Sequence, residues 1–418
     1  MDEKLFLEGK LGGVDQLPKL APGSKETGLI LKPMTVFIGK QGTGKSLFSQ
    51  IIYFFRNLPY LIKYQQAGIN LDEKVTDAWL IRLALDNLRS RRRAMAVFAD
   101  PRATLTWPQL GPNAFFTFQS KNRQVYPGKD LLSAVGKIRG GKTVPHLLGD
   151  ALFIPAERVI YSHITPAILQ VAHLPSTLTT FAEVVDRAGD LLSNWPDGIP
   201  LSPQSRRVRD LGQRILAGEV HRRGETWKWS FGGKDFLDID MASSGQKANW
   251  PVILLAEALF DWRKEGLIGE PFYIHIEEPE IHLHPSAQRS FVELLAYLVN
   301  QGFHVLITTH SSTVLYALNN LITAPQLLPE QLDDPRVPDP DLWLSPDKVA
   351  AYAFGERGEV HSIMKSFEAS IEEGKEIPVT WLDEDQLRYV DEELGQELSR
   401  MRSYGVFWEI DKDATKTD

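Results

Sequence analysis

Gly39-Lys40-Gln41-Gly42-Thr43-Gly44-Lys45-Ser46 lies between an apolar run, Met34-Thr35-Val36-Phe37-Ile38, and a helix-forming run, Leu47-Phe48-Ser49-Gln50-Ile51-Ile52. Strand, glycine-rich loop and helix, in that order, is the context a phosphate-binding loop needs. The glycines let the backbone curl until its N–H groups face an anion, and the helix N-terminus adds partial positive charge. In that geometry Lys45 reaches the β- and γ-phosphates of a nucleoside triphosphate, and Ser46 binds Mg²⁺.

The surrounding chain is built to fold. It has 418 residues, 43% hydrophobic and 24% charged, enough for two or three lobes. Cysteine is absent, which excludes a disulfide framework or a cysteine-based zinc site and fits a reducing cytoplasm. Met1-Asp2-Glu3-Lys4 has no cationic-then-apolar signal pattern, and no run of about 18 apolar residues would span a membrane. The expectation is a cytoplasmic protein without membrane insertion. The net charge of −8 is uneven: residues 366–418 hold 15 acidic and 6 basic residues, a net of −9, leaving about +1 for the remainder. The tail reads as a solvated helical appendage, and its charge does not exclude nucleic-acid contact elsewhere.

Three lobes are expected. Residues 1–160 form a first ATPase lobe with the phosphate loop and an insertion at 66–150. Residues 161–330 form a helical lobe and complete the core sheet. Residues 331–418 form an acidic C-terminal appendage. Within the second lobe, 165–216 reads mainly helical and 218–240 as a strand meander. Then follow a helix from about Gln246 to Glu265, a strand Phe272–Ile276, a helix Pro285–Asn300 and a strand Phe303–Thr308. Strand–helix–strand implies a parallel sheet with a crossover helix.

Three further motifs carry chemistry. The strand ending Ile276-Glu277-Glu278-Pro279-Glu280 offers Glu277 as a hard oxygen ligand for Mg²⁺, through its water shell, and Glu278 as the base that orients and deprotonates a water. Ile307-Thr308-Thr309-His310-Ser311-Ser312 ends the next strand, 32 residues beyond Glu278. Adjacent parallel strands would set His310 beside Glu278, where it can bond the γ-phosphate and the attacking water. Ser243-Ser244-Gly245-Gln246 opens a helix; it is either an anion-binding N-terminus or an ordinary serine cap.

Taken in chain order, these motifs resemble those of ATP-binding-cassette ATPases. Ile276-Glu277-Glu278-Pro279-Glu280-Ile281-His282-Leu283-His284-Pro285 is similar to the branch holding RecF, SMC-like heads and OLD-family ATPases. Phe153-Ile154-Pro155-Ala156-Glu157-Arg158 is similar to a segment common in that branch, including ATPase subunits of bacterial anti-phage systems. The resemblance covers roughly residues 1–330 and implies an α/β fold: an ABC-ATPase head with a RecA-like, mostly parallel sheet core, an antiparallel β subdomain and a helical lobe.

It also implies a homodimer closed head to tail around two ATP molecules. Gly39 to Ser46, Glu277, Glu278 and His310 would act from one copy. Ser243, Ser244, Gly245 and Gln246 would cap the γ-phosphate from the other. Glu157 or Arg158 stands where the class places a sensing glutamine loop. Glu277 and Ser244 replace the aspartate and glycine common in transporters. His282 and His284 would face the dimer interface rather than bind metal. The function implied is an ATP- and Mg²⁺-dependent switch controlling a partner nuclease or toxin, or acting on DNA or RNA, in anti-phage defence or DNA maintenance.

A transporter motor fits less well, because about 200 residues separate Ser46 from Ser243. A self-contained nuclease lacks an evident metal-binding domain in the 108 residues after His310. Arg89, Arg91, Arg92 and Arg93, with Arg206, Arg207, Arg209, Arg222 and Arg223, would either contact nucleic-acid phosphates or form a solvated face.

Overall fold

The computed structural model describes residues 2–21, 23–67, 98–131, 150–163, 176–192, 202–223, 226–231, 235–328, 331–332, 334–371, 375–383 and 400. The arginines at 89–93 and most of the acidic tail therefore lie outside the described residues.

In chain order, β1 (Glu3–Leu11) and β2 (Leu29–Leu31) lead into β3 (Met34–Ile38), the phosphate loop and α1 (Lys45–Ala67). Three strands follow, β4 (Ala99–Thr106), β5 (Phe115–Gln119) and β6 (Gln124–Pro127), then β7 (Ala151–Ile154) and a 3₁₀ segment, Ala156–His163. The helical lobe contains α2 (Ser176–Leu191) and α3 (Pro203–Leu216), then the meander β8 (Glu219–Arg223), β9 (Thr226–Phe231) and β10 (Asp235–Asp238), and then α4 (Ser244–Lys264). β11 (Tyr273–Glu277), α5 (Pro285–Asn300), β12 (His304–Thr309) and α6 (Ser312–Thr323) come next. The described chain closes with β13 (Val349–Phe354), β14 (Val360–Ser362), β15 (Met364–Ile371) and β16 (Lys375–Leu382).

Among the described residues the core sheet runs β14-β13-β3-β12-β11-β7, parallel throughout except for β14 at one edge. Every residue of β3, β7 and β13 is buried, as strands covered on both faces require. On one face lies α1, sandwiched between the core sheet and the antiparallel sheet β2-β1-β4-β5-β6. Its Phe48, Ile51, Ile52, Phe54 and Phe55 pack with Leu5, Leu105 and Phe116. A buried polar link fixes the same helix to β11: Ser49 Oγ lies 3.2 Å from His275 Nδ1, and Arg56, paired with Glu3 at 2.6 Å, lies 3.1 Å from His275 Nε2. On the opposite face α2, α4, α5 and α6 bury Phe181, Leu254, Phe291 and Leu318 in one cluster with Val36 and Ile276.

Pro251 sits inside α4 and frees the carbonyl of Lys247, which lies one turn back. The Ser162 hydroxyl donates to that carbonyl at 3.0 Å. The expected mostly parallel core, antiparallel layer and helical lobe are all present.

Two expectations need correction. The core sheet is not complete by residue 330, because β13 pairs in parallel with β3 and sets Val349–Phe354 inside the sheet, between β3 and the edge strand β14. The start of the acidic tail is not helical: Met364–Ile371 and Lys375–Leu382 form an antiparallel ribbon. Tertiary anchors decide this. Asn319 accepts from Leu382 N at 2.7 Å and donates to its carbonyl at 2.9 Å, and Gln326 clasps Thr380 in the same way at 2.7 and 2.8 Å. Among the described residues no helix is long and apolar enough to cross a membrane.

Candidate functional site

The parallel register puts three strand ends side by side. Thr309 is level with Ile38, and Glu277 with Thr308. The phosphate loop, His310 and Glu278 thus leave adjacent strands at one edge of the sheet, where ligands of open α/β folds bind.

The loop is shaped by backbone constraint. Gly39, Gly42 and Gly44 have φ of +147°, +81° and +99°. At Gly39 a Cβ would fall 2.3 Å from the Phe354 carbonyl oxygen, so β13 leaves room for glycine alone. Thr43 Oγ1 donates to the Lys40 carbonyl at 2.9 Å and tightens the curl. Lys40 projects outward to Glu356 at 2.7 Å, and Gln41 is exposed on the cavity rim.

Lys45 folds back, donating to the carbonyls of Gly39 and Lys40 at 2.7 Å each, and its Nζ lies 3.5 Å from His310 Nδ1. Burial lowers its pKa to about 8, although Glu278 and Glu280 act to raise it. A buried ammonium held by two carbonyls and an imidazole nitrogen, with no carboxylate among the described residues in direct ion pair, is short of a full counter-charge, which a polyanion can supply.

Glu277 is buried at the end of β11. It accepts from Gln50 Nε2 at 3.3 Å and Ala156 N at 3.4 Å, and from the Ser46 hydroxyl. Burial raises its pKa; the Gln50, Ala156 and Ser46 hydrogen bonds oppose that shift, while the Glu157 charge adds to it. Ser46 and Glu277 together are an all-oxygen donor pair beside a phosphate loop, a set that fits Mg²⁺.

Glu278 is half-buried, and its Oε1 lies 3.3 Å from His310 Nε2. The His310 hydrogen bond holds its carboxyl below the usual range, against the upward push of burial. Its backbone has φ +46°, rare for a residue with a side chain. Glu280 secures the opposite wall: its Oε1 accepts from Thr309 Oγ1 and from His310 N, both at 2.7 Å.

The cavity between these groups measures about 330 Å³. Lys45, Ser46, Glu278 and His310 line its polar end, and Gly12, Leu47 and the exposed ring of Phe98 line the other.

Ser243, Ser244, Gly245 and Gln246 do not line this cavity. Ser243 caps α4 in a reciprocal box: its Oγ accepts from Gln246 N at 3.3 Å, and Gln246 Oε1 accepts from Ser243 N at 2.9 Å. Gly245 lies against the loop after Glu280, where a Cβ would meet the His282 carbonyl oxygen at 2.4 Å. His284 caps α5 through Ser286 N, and the described residues hold no cluster of three or more potential metal ligands among His, Cys, Asp and Glu.

The arginines of the helical lobe are largely engaged within the chain. Arg207 bonds Asp339 and Asp341 at 2.6 and 2.8 Å, Arg209 bonds the buried Glu257 at 2.8 Å, and Arg222 reaches Asp190 at 3.3 Å. Arg206 is exposed.

Sequence reasoning missed Gln50, the apolar end of the cavity and the partners of Arg158. Gln50 was findable: it follows Ser46 by four residues on a helix, so both share a face. Phe98 was not, because only the pairing of β4 with β1 carries it to the phosphate loop.

Comparison with known proteins comes from three directions. Residues 202–315 match the model of the AAA ATPase domain family, a span that includes Ser243–Gln246, Glu277–Glu280 and His310. The Old nuclease of Escherichia phage P2 is 50% identical over 44 residues, 10% of this chain. That match spans only 8% of the length of the nuclease. Among solved structures, the Smc head domain with an extended coiled coil, bound to the C-terminal domain of ScpA and derived from Pyrococcus furiosus, overlaps at a TM-score of 0.43. It is 11% identical, over 94% of this chain and 98% of that one. An SMC head bound to the C-terminal winged-helix domain of ScpA overlaps at 0.41, with 10% identity over 87% and 97%.

Proposed function

We propose that this chain, which carries an AAA-type ATPase domain of the SMC, RecF and OLD-like class, is a switch subunit that binds ATP, closes as a homodimer around it and hydrolyses it. The observation that supports this reading is the convergence of Lys45, Glu278 and His310, from three separate segments, on the polar end of one cavity.

In this reading the N–H groups of Gly39 to Ser46 cradle the β-phosphate, and Lys45 turns from its own carbonyls to the β- and γ-phosphates. Gly12, Leu47 and Phe98 take the nucleobase. Ser46 and Glu277 would hold Mg²⁺, which when bound offsets the charge of the phosphate oxygens. Glu278, kept ionised by its bond to His310, orients the water and takes its proton, and His310 then holds the γ-phosphate oxygens. Ser243 to Gln246, which do not line the cavity of their own chain, serve the nucleotide of a second copy, with the N-terminus of α4 facing the γ-phosphate.

ATP favours the closed state by binding it better than the open one. The output is control of a separate effector, a nuclease or toxin, or action on nucleic acid, with anti-phage defence as the biological setting.

Glu278→Gln is the test. It keeps ATP binding and cuts turnover by about 10²–10⁴, the range for loss of a general base. With ATP and Mg²⁺ it accumulates as a dimer in analytical ultracentrifugation, and effector proteins or nucleic acid recovered with that trapped dimer identify the output. Hydrolysis near the parent rate would remove Glu278 from the role. A membrane permease as the co-purifying partner would replace the switch with a transport motor.

A further inference from the structure

Arg158 follows β7 and is completely buried, yet it lines no part of the nucleotide cavity. Its guanidinium joins parts of the chain that are distant in sequence. Nη1 donates to the Glu277 carbonyl at 2.8 Å and, locally, to Pro155 at 3.3 Å. Nη2 donates to the Glu278 carbonyl at 3.0 Å and to Asn249 Oδ1 at 3.3 Å. Asn249, equally buried on α4, passes the connection on: its Nδ2 donates to the Gly245 carbonyl at 2.8 Å. The remaining donor, Arg158 Nε, is buried without a hydrogen-bond partner.

The two carbonyls held by Arg158 belong to the peptide planes on either side of the Glu278 α-carbon. Fixing both planes fixes the φ and ψ of Glu278. That residue has φ +46°, a conformation that persists for a non-glycine residue only where its surroundings over-determine it. Glu278 N adds a third restraint, donating to the Thr308 carbonyl at 2.8 Å. Among these restraints the Arg158 pair alone leads to another lobe. A short line of hydrogen bonds therefore runs from the first turn of α4, through Asn249 and Arg158, to the backbone that aims the Glu278 carboxylate. A lysine in place of Arg158 offers three donors on one atom and cannot span the two carbonyls and the amide as the planar fork does.

We infer that Arg158 is a positioning residue that makes the aim of Glu278 depend on the seating of the N-terminal turn of α4. The inference rests on Glu278 being the base and on α4 serving the nucleotide of the other copy. It makes hydrolysis conditional: a first turn of α4 loaded by a second copy's nucleotide holds Asn249, Arg158 and Glu278 in line. A displaced turn leaves ATP bound on the Lys45 side with the base imperfectly set. This role differs from sensing the nucleotide directly, since the buried guanidinium does not reach the cavity.

The test uses the full chain and three variants, Arg158→Lys, Asn249→Ala and the double variant. ATP affinity is read with a fluorescent ATP analogue and hydrolysis by single turnover. Both single variants should bind the analogue within about twofold of the parent and hydrolyse ATP about 10–100-fold more slowly, within the scale of mispositioning a catalytic group. The double variant should be no slower than the slower single, because both changes cut one line. Asn249→Ala carries the test alone if Arg158→Lys does not fold, as judged by circular dichroism.

Hydrolysis by Asn249→Ala within threefold of the parent would overturn the proposal, as would losses that multiply in the double variant. Equal losses in binding and turnover would also overturn it, since they mark a merely structural role. A parent chain whose analogue binding is indifferent to Lys45→Ala would instead sink the ATPase reading itself. A parent that binds and hydrolyses, beside an Asn249→Ala that does the same, sinks this inference alone.

Discussion

Lys45 supplies the sharpest quantitative test of the phosphate site. Burial holds its pKa at about 8 in the free chain, against an ordinary 10.5. A bound triphosphate supplies the missing counter-charge and favours the charged ammonium, moving the pKa back toward its ordinary value. The sign follows directly. Below pH 8 the ammonium is already charged and binding costs no protonation. As pH rises through 8 the free chain increasingly holds neutral Lys45 and must take up a proton to bind. At pH 9 about one free chain in ten is charged, so affinity falls roughly tenfold between pH 7 and pH 9, equivalent to about 1.4 kcal/mol.

Isothermal titration with an ATP analogue that resists hydrolysis, in buffers of different ionisation enthalpy, reads the affinity loss and the uptake of nearly one proton at pH 9 together. Lys45→Ala binds weakly and without this slope. A flat affinity in the parent between pH 7 and 9 would refute the reasoning, as would an identical slope in Lys45→Ala.

Three further outcomes follow from the same geometry. Gly39→Ala places a methyl against the Phe354 carbonyl at a φ suited to glycine, so its thermal midpoint should drop with a loss of about 1–3 kcal/mol and ATP binding should vanish; an unchanged midpoint contradicts the packing described. Phe98→Ala removes the exposed ring at the apolar end and should weaken ATP by about 1–3 kcal/mol, the worth of a stacked base, while inorganic tripolyphosphate binds as before; equal loss for both ligands places the base elsewhere. Ser243→Asp keeps an acceptor for Gln246 N, so the melting temperature should hold, but the added charge repels a partner's triphosphate and should abolish ATP-dependent dimerisation in ultracentrifugation; normal dimerisation would confine Ser243 to capping.

Much of the site was legible in sequence because its signals are local. The strand before the phosphate loop and the helix Pro285–Asn300 fall where the apolar periodicity and the proline place them, and β11 and β12 lie within one residue of their expected bounds. The expectation that His310 stands beside Glu278 needed only adjacency of two parallel strands, and they are adjacent. The C-terminal part was misread for a physical reason. Val349–Phe354 is a short apolar run with three alanines, and nothing local tells such a run that it will pair with β3. The acidic, lysine-containing stretch after it suits a helix by propensity, but Asn319 and Gln326 hold it as a ribbon.

The sequence alone determined the curl and charge of the Gly39–Ser46 loop, because such a loop is built from contiguous residues whose backbone freedom and charge are intrinsic. It likewise determined that two carboxylates and a histidine end neighbouring apolar strands. Only the tertiary structure decided what surrounds them. It buried Lys45 enough to shift its titration, brought Phe98 to the cavity through the pairing of β4 with β1, and threaded Arg158 between the carbonyls of Glu277 and Glu278. Those properties depend on desolvation and on contacts between distant segments, which no local pattern encodes.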